Sequence, residues 1–374
     1  MKILITGAHG FIGKNLVETL KTSTDHTLYL YTKDHTLDEL KRYLNEADFI
    51  FHLAGANRPV YEQDFTEVNV TLTQFMIRHL IELNQTTPIV FTSSSQANND
   101  TPYGQSKKQA EAVLYHYEST QKAKVYVYRL PNVFGKWSKP NYNSAIATFC
   151  HNIARGYPIQ VNESNPTLDL VYIDDVVDEF CQALQDNPHR HQNTVRIPIV
   201  YRQSLHEIVN LIEGFKAARS NLHIPDMQDS FIRKLYSTYT SFTPIADLRY
   251  DLIQHSDYRG SFTEFVKSLA GGQVSVNISK PGIVKGNHWH HSKNEKFFVV
   301  QGEGLIRFRR VGSNEITEYR VSGDHHQVID IPVGTTHNIE NTGTVDMITL
   351  MWVNEPFDPD RPDTHPLEVT PCSD

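Results

Sequence analysis

Tyr103 and Lys107 are the residues whose types and spacing offer the clearest acid–base chemistry in the sequence. Residues four positions apart lie on one face of a helix, one turn above the other. An ammonium group beside a phenol favours the phenolate, which lowers the pKa of the tyrosine towards working pH. Such a tyrosine can exchange a proton with a substrate oxygen while a hydride moves to or from the adjacent carbon.

A hydroxyl group from the preceding strand end can complete this acid–base pair. The sequence offers three adjacent serines there, Ser93, Ser94 and Ser95. On the residues alone, any of these three serines can supply the hydroxyl group.

A glycine-rich turn follows the first apolar run of the chain and opens an amphipathic helix. Glycines allow a tight turn there and let backbone N–H groups approach a pyrophosphate at the helix N-terminus. The order strand, glycine-rich turn, helix therefore predicts a dinucleotide-binding site. Its candidate residues are Gly7, Ala8, His9, Gly10, Phe11, Ile12 and Gly13.

The choice of cofactor depends on the residue about 20 positions beyond the last glycine. That residue is Lys33, and Asp34 follows it. A cation at this point suits a 2′-phosphate, so we expect NADPH. In the alternative interpretation Lys33 faces solvent and Asp34 holds the ribose hydroxyls.

A second set of candidate residues lies in the last third of the sequence: His288, His290, Glu295 and His337. Residues two apart in a strand face the same way, so His288 and His290 can converge on one centre. Glu295 and His337 can join them from neighbouring strands. Three imidazoles and one carboxylate suit zinc or another divalent transition metal. The alternative is a set of surface histidines on a β-barrel.

Two different regions of secondary structure must position these groups. Over about the first 190 residues, short β-branched runs alternate with helical stretches, which predicts a Rossmann-type parallel sheet. The expected strands are residues 2–6, 27–31, 48–53, 89–93, 125–129 and 168–173. From Ser256 onward, short alternating segments predict an all-β barrel or sandwich. We expect domains at 1–245 and 252–370, and the Pro- and Asp-rich C-terminal end to be a surface tail.

The composition excludes several other classes of protein. The 374 residues are 39% hydrophobic, which is enough apolar material for real cores, and their net charge of −8 opposes broad nucleic-acid binding. No apolar run reaches the ~18 residues of a membrane span. A signal-peptide pattern and a C-x-x-C pair are both lacking, so we expect a cytoplasmic protein.

Residues 1–190 resemble the extended short-chain dehydrogenase/reductase family, which works mainly on nucleotide-sugars. The matching motifs, in family order, are residues 6–13, 52–56, 69, 92–95, 103–107, 129–135 and 172–176. The resemblance implies Tyr103 as the acid/base, Lys107 as its partner and ribose ligand, and Ser94 as the third member. It also implies cofactor contacts from Leu53, Ala54, Gly55 and Asn69. The acidic pair of the dehydrating members is replaced here by Gln96-Ala97, which leaves a 4-epimerase or a ketone reductase.

The residues around 288 and 337 match both halves of the cupin signature. This resemblance implies a small β-barrel in which His288, His290, Glu295 and His337 bind the metal. The glycine expected six positions before Pro332 is His326 instead. Residues 257–264 also resemble the Asp-x-Arg-Gly-x-Phe-x-Glu stretch of nucleotide-sugar 3,5-epimerases built on cupins.

A reductase-like domain followed by a cupin resembles the bifunctional capsule-biosynthesis enzymes on the route to UDP-N-acetyl-L-fucosamine. The resemblance implies that the cupin epimerises C3 of a UDP-4-keto-6-deoxy-N-acetylhexosamine and that the other domain reduces the C4 ketone with NADPH. We also expect a homodimer. The alternatives are a single-activity reductase or 4-epimerase with a non-catalytic cupin dimerisation module, and a nucleotide-sensing protein without turnover. The metal is either a Lewis acid or a structural strut.

Overall fold

The computed structural model describes residues 1–23, 25–57, 61, 65–161 and 164–370. The chain divides into two units. The first is Met1–Glu213 with Lys234–Pro244, and the second is Gly214–Arg233 with the chain from Ile245 onward. The expected domain bounds, 1–245 and 252–370, stay a prediction. They differ from the two units chiefly at Gly214–Arg233, which the expected bounds place in the first domain and the structure groups with the second unit.

The first unit alternates strands with helices. Its strands are β1 (Lys2–Thr6), β2 (Thr27–Tyr31), β3 (Phe49–His52), β4 (Ile89–Ser94), β5 (Val125–Leu130), β6 (Asn132–Phe134), β7 (Thr167–Tyr172), β8 (Arg190–His191), β9 (Thr194–Val195) and β10 (Tyr201–Ser204). The helices are α1 (Phe11–Ser23), α2 (Leu37–Glu46), α3 (Leu72–Glu82), α4 (Pro102–Gln121), α5 (Ala145–Arg155), α6 (Ile173–Leu184), α7 (Leu205–Asn221) and α8 (Ser230–Phe242). A π-helical segment (Thr66–Thr71) precedes α3, and a short 3-10 helix covers Ser95–Asn98. The last part of α7 and the first residues of α8 fall in Gly214–Arg233 and so belong to the second unit, as does a 3-10 helix at Ile245–Asp247.

The main sheet of this unit has the order β2-β1-β3-β4-β5 with parallel pairing throughout. Side chains of β1 alternate between two apolar clusters, with Ile3 and Ile5 in one and Leu4 in the other. Helices therefore cover both faces of the sheet, as is usual for a parallel sheet with nearly continuous apolar strands. Thr6 pairs with Tyr31 on one side and His52 on the other, so three strands end at the same edge. A smaller sheet has the order β10-β7-β6. The predicted parallel sheet is confirmed.

The second unit contains antiparallel strands. They are β11 (Gln254–Asp257), β12 (Gly260–Ser268), β13 (Gly272–Ser279), β14 (Val284–Trp289), β15 (Glu295–Gln301), β16 (Glu303–Arg310), β17 (Ile316–Ser322), β18 (Val328–Ile331), β19 (Thr335–Asn341), β20 (Met347–Val353) and β21 (His365–Pro366). They form one sheet in the order β11-β12-β13-β20-β15-β18 and another in the order β17-β16-β19-β14-β21. Residues from both sheets, such as Phe297 and Ile339, share one apolar cluster. The predicted all-β second region is confirmed.

The C-terminal end lies at the surface as expected, since nearly all of residues 354–370 are exposed or half-buried, but it is attached to a sheet and is not a free tail. Strand β21 pairs with β14 at His288 and Trp289, and Val369 is fully buried. A Pro- and Asp-rich composition favours loops, but here the backbone groups and one apolar side chain find partners on the sheet. Among the helices that the structure describes, none has the length and apolarity needed to cross a membrane.

Candidate active site and metal centre

The glycine-rich turn joins β1 to α1 and has no room for side chains at two of its glycines. Gly7 has φ +70°, and a Cβ there would lie 2.7 Å from the backbone nitrogen of Ala54. A Cβ on Gly13 would lie 2.2 Å from the carbonyl oxygen of Gly7. The turn is thus pressed against the end of β3 and against its own helix. The first turn of α1 leaves backbone N–H groups without intrahelical acceptors, as a pyrophosphate site requires.

A buried hydrogen-bonded chain supports the same edge of the sheet. His52 lies 2.8 Å from Thr6 Oγ1 and 2.9 Å from Thr73 Oγ1. Thr73 donates to the carbonyl oxygen of Asn69, so it accepts from His52 Nε2–H. Thr6 Oγ1 accepts from Ala54 N and donates to His52 Nδ1. Burial, together with the charge of Lys107, lowers the pKa of His52 to about 3 and keeps the ring neutral.

This chain of hydrogen bonds fixes the loop that carries the predicted cofactor contacts Leu53, Ala54 and Gly55. Asn69 Oδ1 accepts from the backbone nitrogen of Ala56 at 2.9 Å, and its Nδ2 donates to Ser106 Oγ. The structure thereby joins the loop after β3 to helix α4. Sequence analysis placed His52 and Asn69 within motifs but did not find this connection. The connection depends on the tautomer of His52 and on the hydrogen bonds that Asn69 makes with Ala56 and Ser106, which only the folded structure shows.

Lys107 points from α4 into the end of the sheet. Its Nζ donates to the carbonyl oxygen of Thr92 at 2.9 Å, and a Cβ on Gly55 would lie 3.0 Å from it. Burial lowers the pKa of Lys107 to about 8, against the opposing charge of Glu111. The lysine is thus held beside the loop after β3.

Tyr103 lies one turn before Lys107 on α4, beside the side chain of Ser94. Burial raises the pKa of Tyr103, and the hydrogen bond from the Ser94 hydroxyl opposes that rise. The sequence predicted that Lys107 lowers this pKa. In the structure the group that lowers it is Ser94, because the lysine is directed to Thr92.

The three serines at the end of β4 have different surroundings. Ser93 donates to the buried carboxylate of Glu111 at 2.5 Å, and Ser95 is exposed. Arg129 forms two hydrogen bonds with the same carboxylate, at 2.9 and 2.6 Å. Ser94 is thus the one whose hydroxyl faces Tyr103. Sequence analysis missed Glu111, since only the fold shows that it ties α4 to β4 and β5.

Lys33 and Asp34 are both exposed and lie just after β2, beyond its last residue Tyr31. The carbonyl oxygen of Tyr31 accepts from the backbone nitrogen of Gly7 at 2.9 Å, so this strand end borders the glycine-rich turn. The position therefore suits a contact with the far ribose of a dinucleotide. His9 in the turn is exposed as well.

The structure brings the four predicted metal ligands together in the second unit. One ligand atom each from His288, His290, Glu295 and His337 lies within 4.8 Å of all the others. Glu295 Oε2 is 3.1 Å from His337 Nε2 and 3.4 Å from His290 Nε2. His288 lies in β14, His290 follows the end of that strand, and His337 lies in β19. Glu295 is the first residue of β15, which belongs to the other sheet, so both sheets contribute ligands.

The ligand atoms of this cluster point at one another rather than at hydrogen-bond partners. Over the described part of the chain, His290 Nε2, His337 Nε2 and Glu295 Oε2 are buried atoms without such a partner. Nδ1 of His290 donates to the carbonyl oxygen of Asp363 at 2.6 Å, which leaves Nε2 with its lone pair free. Burial lowers the pKa of His288 to about 4, and the neighbouring imidazoles lower it further, so this ring is neutral. Buried nitrogen and oxygen atoms that converge on one centre in this way fit a divalent cation.

Two neighbouring cavities open beside the cluster. One of about 330 Å³ is lined by His288 and His337 together with Arg259 and Lys285. The other, of about 430 Å³, is lined by His288, His290 and Glu295. Arg259 is held by the carboxylate of Asp257 at 2.6 Å, within the Asp-x-Arg-Gly stretch. The cluster therefore adjoins space of the size that small-molecule sites occupy.

The parallel sheet, its glycine-rich turn and the acid–base residues of α4 define a dinucleotide-dependent enzyme. A model described as "NAD dependent epimerase/dehydratase family" matches residues 3–197. A second, described as "Polysaccharide biosynthesis C-terminal domain", matches residues 255–365. The chain belongs to the NAD dependent epimerase/dehydratase family.

Two relatives match almost the whole chain. It is 40% identical over 369 residues to the UDP-2-acetamido-2,6-beta-L-arabino-hexul-4-ose reductase of Pseudomonas aeruginosa, with 99% of each chain covered. A crystal structure of the capsular polysaccharide assembling protein CapF from Staphylococcus aureus has a TM-score of 0.93 at 51% identity and covers 99% of this chain and 100% of that one. The UDP-glucuronic acid 4-epimerase of Bacillus cereus, in complex with NAD, shares the fold at 17% identity and a TM-score of 0.55, covering 65% of this chain and 96% of that one.

Proposed function

We propose that the protein is a bifunctional nucleotide-sugar enzyme. The second unit epimerises C3 of a UDP-4-keto-6-deoxy-N-acetylhexosamine, and the first unit then reduces the C4 ketone with NADPH towards UDP-N-acetyl-L-fucosamine. The observation that carries this proposal is the presence of two separate sites in one chain. One is an acid–base pair beside a dinucleotide turn, and the other is a four-ligand cluster beside a cavity. The full-length likeness to a reductase of a UDP-hexulose supports the same substrate class.

In the reductase half, the nicotinamide cofactor supplies the hydride. Backbone N–H groups of the turn from Gly7 to Gly13 bind its pyrophosphate, and Lys33 binds the 2′-phosphate that distinguishes NADPH. Lys107 holds the ribose. Tyr103 donates its hydroxyl proton to the C4 oxygen, which becomes the new alcohol, and Ser94 holds that oxygen by a hydrogen bond. The raised pKa of Tyr103 keeps the phenol protonated, so that its proton is available when hydride transfer places negative charge on the C4 oxygen.

In the epimerase half, the proton on C3 is acidic because a ketone is adjacent. Inversion requires that a base removes this proton and that a proton returns to the opposite face. His288, His290, Glu295 and His337 would hold a zinc ion or another divalent transition metal. Such an ion ties strand ends together, and supplies Lewis-acid stabilisation of oxygen where a coordination position stays open. Reduction at C4 then removes the ketone that made C3 labile, which gives the two steps their order.

We further propose a cytoplasmic homodimer with domain bounds at 1–245 and 252–370. The cytoplasmic assignment follows from the nicotinamide cofactor and the nucleotide-sugar substrate, and the homodimer rests on the family resemblance. Sedimentation of the purified protein tests the dimer, which a monomer at micromolar concentration would contradict.

The decisive experiment combines NADPH oxidation with a panel of UDP-4-keto sugars and a measurement of deuterium entry at C3 in deuterated water. We expect oxidation only with the epimerised 4-keto sugar or its precursor, and deuterium at C3. Oxidation without any deuterium at C3 would mean a single-activity reductase with a non-catalytic second unit.

A further inference from the structure

The C-terminal strap, which we define as residues 362–369, lies along β14, the strand that carries the metal ligand His288 and ends just before the ligand His290. Its strand β21 pairs with β14 at His288 and Trp289. Beyond β21 the backbone nitrogen of Leu367 donates to the carbonyl oxygen of Asn287 at 2.9 Å. The strap therefore continues the sheet beside the metal cluster.

The far end of the strap is anchored by Arg309, a residue of β16 that is itself buried. Its guanidinium donates to the carbonyl oxygens of Val369 at 2.7 Å and Glu368 at 2.6 Å. Val369 has no exposed surface. With this end fixed, the start of the strap reaches the metal cluster in a defined position.

Asp363 makes the contacts at that start. Its carboxylate accepts from the backbone nitrogens of His291 at 3.0 Å, Ser292 at 2.9 Å and Lys293 at 3.2 Å. It also accepts from Ser292 Oγ at 2.9 Å. Its carbonyl oxygen accepts from Nδ1 of the metal ligand His290 at 2.6 Å. One residue therefore holds both a ligand ring and the loop that follows it.

This loop matters because it joins two ligands, His290 and Glu295. A carbonyl oxygen can only accept, so its contact with His290 fixes the tautomer that directs Nε2 towards the cluster. Asp363 makes both sets of contacts at φ +39°, a left-handed conformation that non-glycine residues rarely adopt. Such strain persists only where the surroundings enforce it.

We propose that Asp363 is a positioning residue of the metal centre, through which the C-terminal strap determines how tightly the ion is retained. The inference rests on the proposed metal site and adds to it a residue about seventy positions away in sequence, outside the cupin signature. Partners of this kind are worth ~10–100-fold in metal affinity.

The test uses the full chain loaded with zinc, and measures the rate at which zinc passes to a chromogenic chelator. Asp363→Gly removes the carboxylate that fixes the loop from His291 to Lys293, but it keeps the backbone carbonyl that accepts from His290 and tolerates the left-handed backbone. We therefore expect zinc release ~10-fold faster than in the unaltered protein, the low end of what such supporting contacts contribute. Asp363→Asn keeps one acceptor oxygen, so we expect its zinc release rate to lie between the rates of Asp363→Gly and the unaltered protein. Asp360→Asn, an exposed carboxylate change three residues earlier, is the matched control and should release zinc at the unaltered rate.

A melting curve of each zinc-free variant separates positioning from plain structural support. A merely structural Asp363 would lower the zinc-free melting temperature and leave the release rate of folded protein unchanged, which would overturn the inference. If Asp363→Gly does not fold, faster release from Asp363→Asn than from Asp360→Asn supports the inference, and equal rates contradict it.

Failure of the metal site itself has a different signature. If His290→Ala binds as much zinc as the unaltered chain, the proposed site is wrong and the inference falls with it. If His290→Ala loses zinc while both Asp363 variants retain it at the unaltered rate, the site stands and the inference alone is wrong.

Discussion

The two sites of this chain are built in different ways. The site of the first unit gathers at one edge of a parallel sheet, where strand ends, a glycine turn and one helix bring the groups together. The site of the second unit depends on side chains from two antiparallel sheets and on a strap from the C-terminal end. The first is therefore built largely from short local motifs, and the second from contacts that are distant in sequence. Damage to one site should therefore leave the chemistry of the other intact.

The largest expected effect comes from Tyr103→Phe, which removes only the hydroxyl group. We expect reduction of the 4-keto sugar to fall by ~10²–10⁴-fold, because a positioned proton donor is worth about that much. NADPH binding and deuterium entry at C3 should be unchanged. Stopped-flow NADPH oxidation measures the loss, and reduction at the unaltered rate would contradict the role of Tyr103.

His337→Ala should affect only the metal site of the second unit. Three remaining ligands hold zinc poorly, so we expect metal loss and a lower melting temperature of the second unit. Since four protein ligands complete a tetrahedral site, we expect C3 exchange to fall only in proportion to unfolding. Reduction of a substrate already epimerised should persist. Exchange abolished at an unchanged melting temperature would instead mean that the metal acts as a Lewis acid.

Gly13→Ala tests how far the first site depends on backbone contact. The new Cβ would lie 2.2 Å from the carbonyl oxygen of Gly7, so the turn must shift. We expect a loss of ~1–3 kcal/mol in stability and weaker cofactor binding, measured by chemical denaturation and by fluorescence titration with NADPH. Gly214→Ala is the matched control, because its Cβ meets nothing within 4 Å in α7. It should be neutral or stabilise by ~0.5–1 kcal/mol, and an equal loss in both variants would contradict the turn argument.

Lys33→Asp gives the smallest expected effect and concerns the choice of cofactor. A carboxylate in place of the ammonium repels the 2′-phosphate, so the KM for NADPH should rise about 10-fold, the scale of one charged hydrogen bond. The KM for NADH should change little. Equal changes for both cofactors would show that Lys33 faces solvent and takes no part in binding.

Much of the fold follows from the sequence because local pattern and tertiary structure agree. All six predicted strands of the parallel region appear; two match at both ends, and no strand end differs by more than one residue. The four proposed metal ligands also converge, since strand periodicity and the cupin resemblance both pointed to them.

The parts that the sequence could not provide are contacts between distant segments. The C-terminal strap has a loop-like composition, so nothing local indicates that Asp363 reaches His290. The same holds for Glu111, whose carboxylate joins Ser93 and Arg129. The direction of the Tyr103 pKa shift was also predicted wrongly. The sequence suggested that Lys107, one turn away on the helix, would lower this pKa, but the burial of the phenol raises it.

The central claim is that two separate sites catalyse two successive steps. It is tested most directly by deuterium entry at C3 of the UDP-4-keto sugar in deuterated water with NADPH left out. The account predicts deuterium at C3 in this cofactor-free reaction, with the same rate in the unaltered chain and in Tyr103→Phe. Exchange that appears only when NADPH is added, or that vanishes in Tyr103→Phe, would contradict it.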